Sequence, residues 1–189
     1  MAGVLYLGNQ MVSPVIVQDG GEPEPFPVRT IECELNESGY VDGSYLYNNL
    51  YDGYTEKPFY FDASSIKAME IVQGKNYIAP SFLNAFIRSS IKYIDFSQLS
   101  HLPTQGTITG RRGPLAQIIS FTTGVHIYFR ALTTQTYFNP NIFQNMCGQA
   151  TNAVIHFPSN LESIISGLSN YPNFGGTNTT IAFDLPATS

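Results

Sequence analysis

Hydrophobic and polar positions alternate along this chain in short bursts, without the long stripes of amphipathic helices. Apolar-x-apolar triplets recur at Met69-Glu70-Ile71, Ile94-Asp95-Phe96, Ile127-Tyr128-Phe129, Ile155-His156-Phe157 and Ile181-Ala182-Phe183, at steps of 25, 33, 28 and 26 positions. Alternation over so few residues predicts half-buried strands. The 33-residue step holds Gly106, Gly110, Arg111, Arg112 and Gly113, which predict an inserted loop over Thr104–Gly113. One such unit cannot cover its own apolar face, whereas stacked units share a continuous core. Strand side chains alternate between faces. Glu70, Asp95, Tyr128, His156 and Ala182 are therefore expected as an exposed ladder, with Glu70, Asp95, Tyr128 and His156 as a candidate binding face.

The segments between triplets also repeat. Tyr77–Phe86 aligns with Tyr137–Met146, each reading Tyr-apolar-x-Pro and then a short helix-like apolar pattern. Ser159 and Glu162 have the spacing of a helix capping box. Leu161, Ile164, Ile165 and Leu168 would then share one helical face. Gly175-Gly176 turns the chain into a last strand, Thr180–Asp184, so the end reads as a cap on the stack.

Before the repeats, residues 3–7 and 12–17 are two apolar runs around Gly8-Asn9-Gln10-Met11, which predicts a hairpin. Residues 18–28 carry Pro23, Pro25 and Pro27 at alternate positions, the composition of a semi-rigid spacer. The pattern divides the chain into a hairpin (1–17), a linker (18–28), a Tyr-rich β region (29–63) and a repeat domain (64–189). A hairpin on a spacer suits an anchor with Val4, Leu5, Leu7, Val15 and Ile16 as its contact residues. A strand pair folded back on the domain fits the same pattern equally well.

Composition narrows the classes. The 189 residues are 43% hydrophobic and only 12% charged, about half the usual ~25%. That excludes a charged disordered chain and a solvated helical bundle. A net charge of −5 leaves little from which to build the basic face of a nucleic-acid binder. No apolar run approaches the ~18 residues of a membrane helix, and the opening lacks the pattern of a secretory signal. Tyr40, Tyr45, Tyr47, Tyr51 and Tyr54, set among glycines and asparagines, are expected as an oligomer contact, because Tyr is favoured at interface cores.

Little in the chain points to catalysis. His101, His126 and His156 lack neighbours at metal-ligand spacing. Cys33 and Cys147 read as buried free thiols. Gly110-Arg111-Arg112-Gly113 reads as a solvated loop tip, and neither a nucleophile elbow nor a phosphate-binding loop occurs. The expectation is a non-enzymatic protein without cofactor or metal.

Ile66-x-x-Met69-x-Ile71 and Ile91-x-x-Ile94-x-Phe96 carry the apolar-x-x-apolar-x-apolar signature of leucine-rich repeats. Residues 145–168 (NMCGQATNAVIHFPSNLESIISGL) and 174–187 (FGGTNTTIAFDLPA) resemble the C-terminal end of BspA-type leucine-rich repeat proteins. The resemblance spans about residues 64–187, and LYLGNQMVSPVIV is similar to short N-terminal segments of phage structural proteins. It implies a mainly β chain with short helices: an irregular leucine-rich-repeat-like solenoid preceded by an N-terminal β-hairpin anchor and a Pro-rich linker. It implies a binding or surface module of bacterial surfaces and tailed-phage virions. The expected role is thus a virion structural protein (capsid decoration, head fibre or tail-associated), assembled in the host cytoplasm. Its partners would be other virion proteins and copies of itself, a trimer in a fibre or decoration role, with a host-surface glycan or protein as a further partner. Nucleic acid and membrane insertion are not expected. The alternative is a bacterial cell-surface adhesion module, which would require export.

Overall fold

A computed structural model describes residues 2–7, 10–16, 24–25, 28–30, 58–64, 66–74, 78–103, 113–133, 140–166 and 174–184. The first strands are β1 (Ala2–Leu7), β2 (Gln10–Ile16), β3 (Glu24–Pro25), β4 (Val28–Thr30) and β5 (Phe59–Asp62). Next come β6 (Glu70–Ile71), β7 (Ile78–Ala79), β8 (Phe86–Ile87), β9 (Ile91–Asp95), β10 (Ile119–Ser120) and β11 (His126–Tyr128). The last are β12 (Gly148–Thr151), β13 (Val154–Pro158), β14 (Gly175–Thr177) and β15 (Thr180–Asp184). Helix among the described residues is limited to 3₁₀ turns at Pro140–Phe143 and Ser159–Leu161 and to α1 (Glu162–Ser166). The chain is mainly β.

One sheet of six strands, ordered β15-β13-β11-β9-β5-β4, organises the molecule, and all its pairings are parallel. Ile94, Ile127, Ile155 and Ile181 lie side by side in one register row, and Phe61 continues it on β5. Apart from the partly buried Ile181, this row is fully buried. Two residues on, Phe96, Phe129 and Phe157 form a second row of buried rings. Their centroids are 5.4 Å apart at both steps, with interplanar angles of 4° and 15°. Strands sit roughly 4.8 Å apart, so identical side chains in register must stack. Phe143 closes this row edge-on, 5.3 Å from Phe129 and 5.6 Å from Phe157.

Across the core, short parallel pairs join β8 to β10 and β12 to β14. Here the helix-like apolar pattern forms a 3₁₀ helix at Pro140–Phe143 and tight turns at the matching places of the earlier units. The amides of Ala85, Ile118 and Met146 each donate to the carbonyl three residues back, and Asn84, Gln117 and Asn145 take left-handed φ of 60°, 53° and 54°. Asn84 N donates to Ala116 O, and Gln117 N donates to Asn145 O, so these turns stack as neighbours. The equivalent residues are therefore Ala85, Ile118 and Met146. The sequence alignment of Phe86 with Met146 is one residue out of step and passes over the unit at Leu115–Ile119. A second corner precedes the main strands. Gly124, Asn152 and Asn178, at φ of 65°, 55° and 56°, each stand three residues before Ile127, Ile155 and Ile181. Gly and Asn tolerate that conformation best.

Several expectations need correction. Met69-Glu70-Ile71 lies outside the main sheet: β6 pairs antiparallel with β7, and the strand beside β9 is β5. Ala68 bridges His101, 33 positions on, which places buried Met69 in the connection between strands. The boundary between residues 63 and 64 is crossed by the sheet, since β4 and β5 belong to it. The linker contributes structure of its own, because β3 adds a third strand to the antiparallel β1–β2 hairpin. The capping box does not form. Pro158 occupies the N-cap of the 3₁₀ turn, with no side-chain cap bond. Leu161 and Ile165 are buried nonetheless, and Ile164 packs against the core.

Candidate functional site

Alternation sends two rows of side chains to the face of the main sheet opposite the isoleucines. One is Tyr60, Tyr93, His126, Val154 and Thr180; the other is Asp62, Asp95, Tyr128, His156 and Ala182. Asp95, Tyr128 and His156 thus stand in line as the sequence predicts. Glu70 does not join them: it is exposed on β6, with a carboxylate oxygen 3.9 Å from exposed His101. Asp62 takes its place.

The expectation of an open face fails. Tyr60, Tyr93, Asp95 and Tyr128 are each at most 5% exposed. Parallel register brings flat rings face to face: Tyr93 on His126 at 5.4 Å, His126 on His156 at 5.2 Å and Tyr128 on His156 at 4.2 Å. The polar tips are bonded to one another. Tyr60 Oη donates to Asp95 Oδ2 at 3.1 Å, and the Ser97 amide donates to Asp95 Oδ1 at 2.7 Å. Burial raises the Asp95 pKa, opposed by the bonds from Ser97 and Tyr60.

A second set joins three strands. His126 Nδ1 lies 2.9 Å from His156 Nε2, and His156 Nδ1 lies 3.0 Å from Asp184 Oδ1. Arg130 donates from Nη2 to Asp184 Oδ2 at 3.4 Å and rests over the Tyr128 ring, 5.2 Å from its centroid. Burial holds His126 down to a pKa of about 4, helped by His156 and Lys92 and opposed by Asp184. The sequence triplets missed Asp184, Arg130, Tyr93 and Tyr60. Extending the same alternation two residues in each direction reaches Tyr93 and His126 on one side and Arg130 and Asp184 on the other.

This arrangement can relay or trap a proton and can fasten neighbouring strands. Among the described residues no group of three His, Cys, Asp or Glu side chains is placed to hold a metal ion. Cys147 is buried, and burial pushes its thiol up to about 12, so it stays protonated at neutral pH. Cys33, Arg111, Arg112 and the proposed oligomer contacts Tyr40, Tyr45, Tyr47, Tyr51 and Tyr54 lie outside the described residues. The proposed anchor positions sit in the hairpin. Ile16 is opposite Ala2, Val15 opposite Gly3, Leu5 opposite Val12 and Leu7 opposite Gln10, while Val4 falls where the register shifts. No described helix is long and apolar enough to cross a membrane. No known protein family, curated protein or solved structure matches the chain.

Proposed function

We propose that the chain is a non-enzymatic structural protein of a tailed-phage virion, a capsid decoration, head-fibre or tail-associated component. In this reading residues 58–184 are a short solenoid with leucine-rich-repeat-like units, and the N-terminal strands attach it to the particle. The observation that carries the reading is the parallel, in-register repetition of Ile-x-Phe across β9, β11, β13 and β15. A stack of this kind commits its apolar side chains to packing between neighbouring units. Its polar row is likewise occupied by internal bonds, which suits a rigid display element. Other virion proteins are the partners, with self-association through the Tyr40–Tyr54 stretch.

The test is mass spectrometry of density-purified particles made with the full-length chain and with a variant lacking residues 1–20. Peptides of the full chain should co-purify with capsid or tail components, and the shortened chain should be absent from particles while remaining folded in the lysate. Recovery of the full chain only in the bacterial envelope would reject the virion role. Loss of the fold on deletion would reject a separable anchor.

A further inference from the structure

We infer that β15 is a docking edge for a second copy of this chain: two β15 strands pair antiparallel across a two-fold axis at Ala182 and join two six-stranded sheets into one. The interface is separate from the Tyr40–Tyr54 contact and does not depend on a virion role.

The main sheet has two edges, and they differ. β4 is three residues long and directly follows Pro27. Short length and proline are two of the features that keep sheet edges from pairing with other chains. β15 has neither. It runs five residues, contains no Pro or Lys, and pairs with β13 in unbroken register, without a bulge. Its one charge, Asp184, is turned to His156 and Arg130 of its own chain. Among the described residues no strand lies on its outer side. The apolar rows end there accordingly. Ile181 and Phe183 are only partly buried, whereas Ile155 and Phe157, one strand further in, are at most 1% exposed.

Backbone polarity fixes the groups that a docked strand must meet. Thr180 N donates to Ala153 O, so Thr180 faces β13. The N–H and C=O of one strand residue point to the same side, and successive residues alternate. Ala182 and Asp184 therefore face β13 too, and the amides and carbonyls of Ile181 and Phe183 point outward.

Those groups select the partner. In the antiparallel register centred on Ala182, Ile181 stands opposite the partner's Phe183, and Phe183 opposite the partner's Ile181. Each such pair exchanges two N–H···O bonds, as the hydrogen-bonded pairs of an antiparallel ladder do. Every outward amide and carbonyl of the two strands is then satisfied. Ala182 meets the partner's Ala182 at the close, non-hydrogen-bonded position, where Cα atoms approach to about 4.5 Å and a small side chain fits. Thr180 stands opposite the partner's Asp184, a hydroxyl donor facing a carboxylate. Opposite residues share a face, so Ile181 and Phe183 meet apolar counterparts on the core side. Thr-Ile-Ala-Phe-Asp thus complements itself, which is what a closed two-fold interface requires. Docking β15 on β4 of another copy would instead be head-to-tail and open-ended.

Disulfide trapping in the full chain tests the register. In a Cys33→Ser background, which leaves buried Cys147 as the native thiol, Ala182→Cys and Thr180→Cys are each treated with diamide. Ala182→Cys should join two copies, because about 4.5 Å lies within the Cα separation that a disulfide spans. Thr180→Cys should stay unlinked, since its two copies lie four residues apart along the ladder, roughly 14 Å. Sedimentation of the wild type over a roughly hundredfold concentration range should show reversible association. Ala182→Lys should lower the assembly state, because like charges then meet at the axis. Should a variant not fold, amide exchange of the wild type by NMR decides: protection of the Ile181 and Phe183 amides should rise with protein concentration. A wild type that stays monomeric, association that Ala182→Lys leaves unchanged, or equal cross-linking at the two positions overturns the proposal. Protection of the two amides that is independent of concentration overturns it as well.

Discussion

Phe129→Ala removes the central ring of the Phe96–Phe129–Phe157 row. Truncating a buried Phe costs about 3–5 kcal/mol, the transfer of the lost atoms plus the cavity left behind. Phe129 has two stacked neighbours and Phe143 edge-on, and each aromatic pair adds roughly 0.5–1.5 kcal/mol beyond buried area. The strands on both sides are fixed by backbone pairing, so the cavity cannot collapse readily. These contributions overlap, and together they place the cost near the upper end, about 5 kcal/mol. Phe183→Ala is the internal control. Phe183 continues the same row on β15 and is only partly buried, so about 2 kcal/mol is expected. Urea unfolding at neutral pH, with the slope checked for constancy, separates the two. At a slope of about 2 kcal/mol/M the midpoints should fall by ~2.5 M and ~1 M. Equal shifts, or a Phe129→Ala cost below about 2 kcal/mol, would refute a core built on continuous ring stacking.

Ile155→Ala, in the centre of the isoleucine row, should cost about 2–5 kcal/mol by thermal or urea unfolding, and Ile181→Ala at the partly buried end distinctly less. Glu70→Ala should stay within about 0.5 kcal/mol, because its side chain is exposed and outside the polar row. Gly124→Ala should cost about 1–2 kcal/mol although nothing lies within 4 Å of the added carbon, since the penalty is conformational. Gly124→Asn should recover part of it, as Asn152 and Asn178 fill the matching corners. The folded pKa of His126, about 4, lies below its ordinary 6.5. The unfolded chain therefore binds the extra proton between those values, and stability present above pH 6.5 is lost as pH falls towards 4. Discounted for water's access to the ring, the loss is about 1–2 kcal/mol. Chemical unfolding of wild type and His126→Gln at both ends of that window measures it.

The strand triplets were legible because alternation with a period of two survives any connection length. Ile94, Ile127, Ile155 and Ile181 fall in one row despite steps of 33, 28 and 26 residues. Met69-Glu70-Ile71 misled because a buried residue in a connection looks like a buried residue in a strand. The true neighbour, Phe61, ends the run Phe59-Tyr60-Phe61, and three consecutive aromatics hide the alternation. The helix-like reading holds at Pro140–Phe143, a 3₁₀ helix, whereas the units at Phe82–Ala85 and Leu115–Ile118 have similar apolar spacing but form turns. The left-handed residues of the three units, Asn84, Gln117 and Asn145, share no single residue type that would mark them. The polar row was legible only in part. Which residues share a face follows from sequence, but the burial of Tyr93, Asp95 and Tyr128 depends on what packs above them. The bond from His156 to Asp184 spans 28 residues, a distance that local pattern cannot bridge.

The order of the main sheet also fixes how the molecule bears load. β4 and β15 occupy opposite edges, so a pull between the two ends of the sheet acts across the strands. Each hydrogen-bonded step is then stretched along its bonds and gives way in turn, whereas strands pulled along their length would shear together and resist as a group. Freeing one unit at the β15 edge, 26 residues from Ile155 to Ile181, would pay out about 90 Å of chain. The strand order thus lets the sheet peel from its edge under tension, one strand at a time.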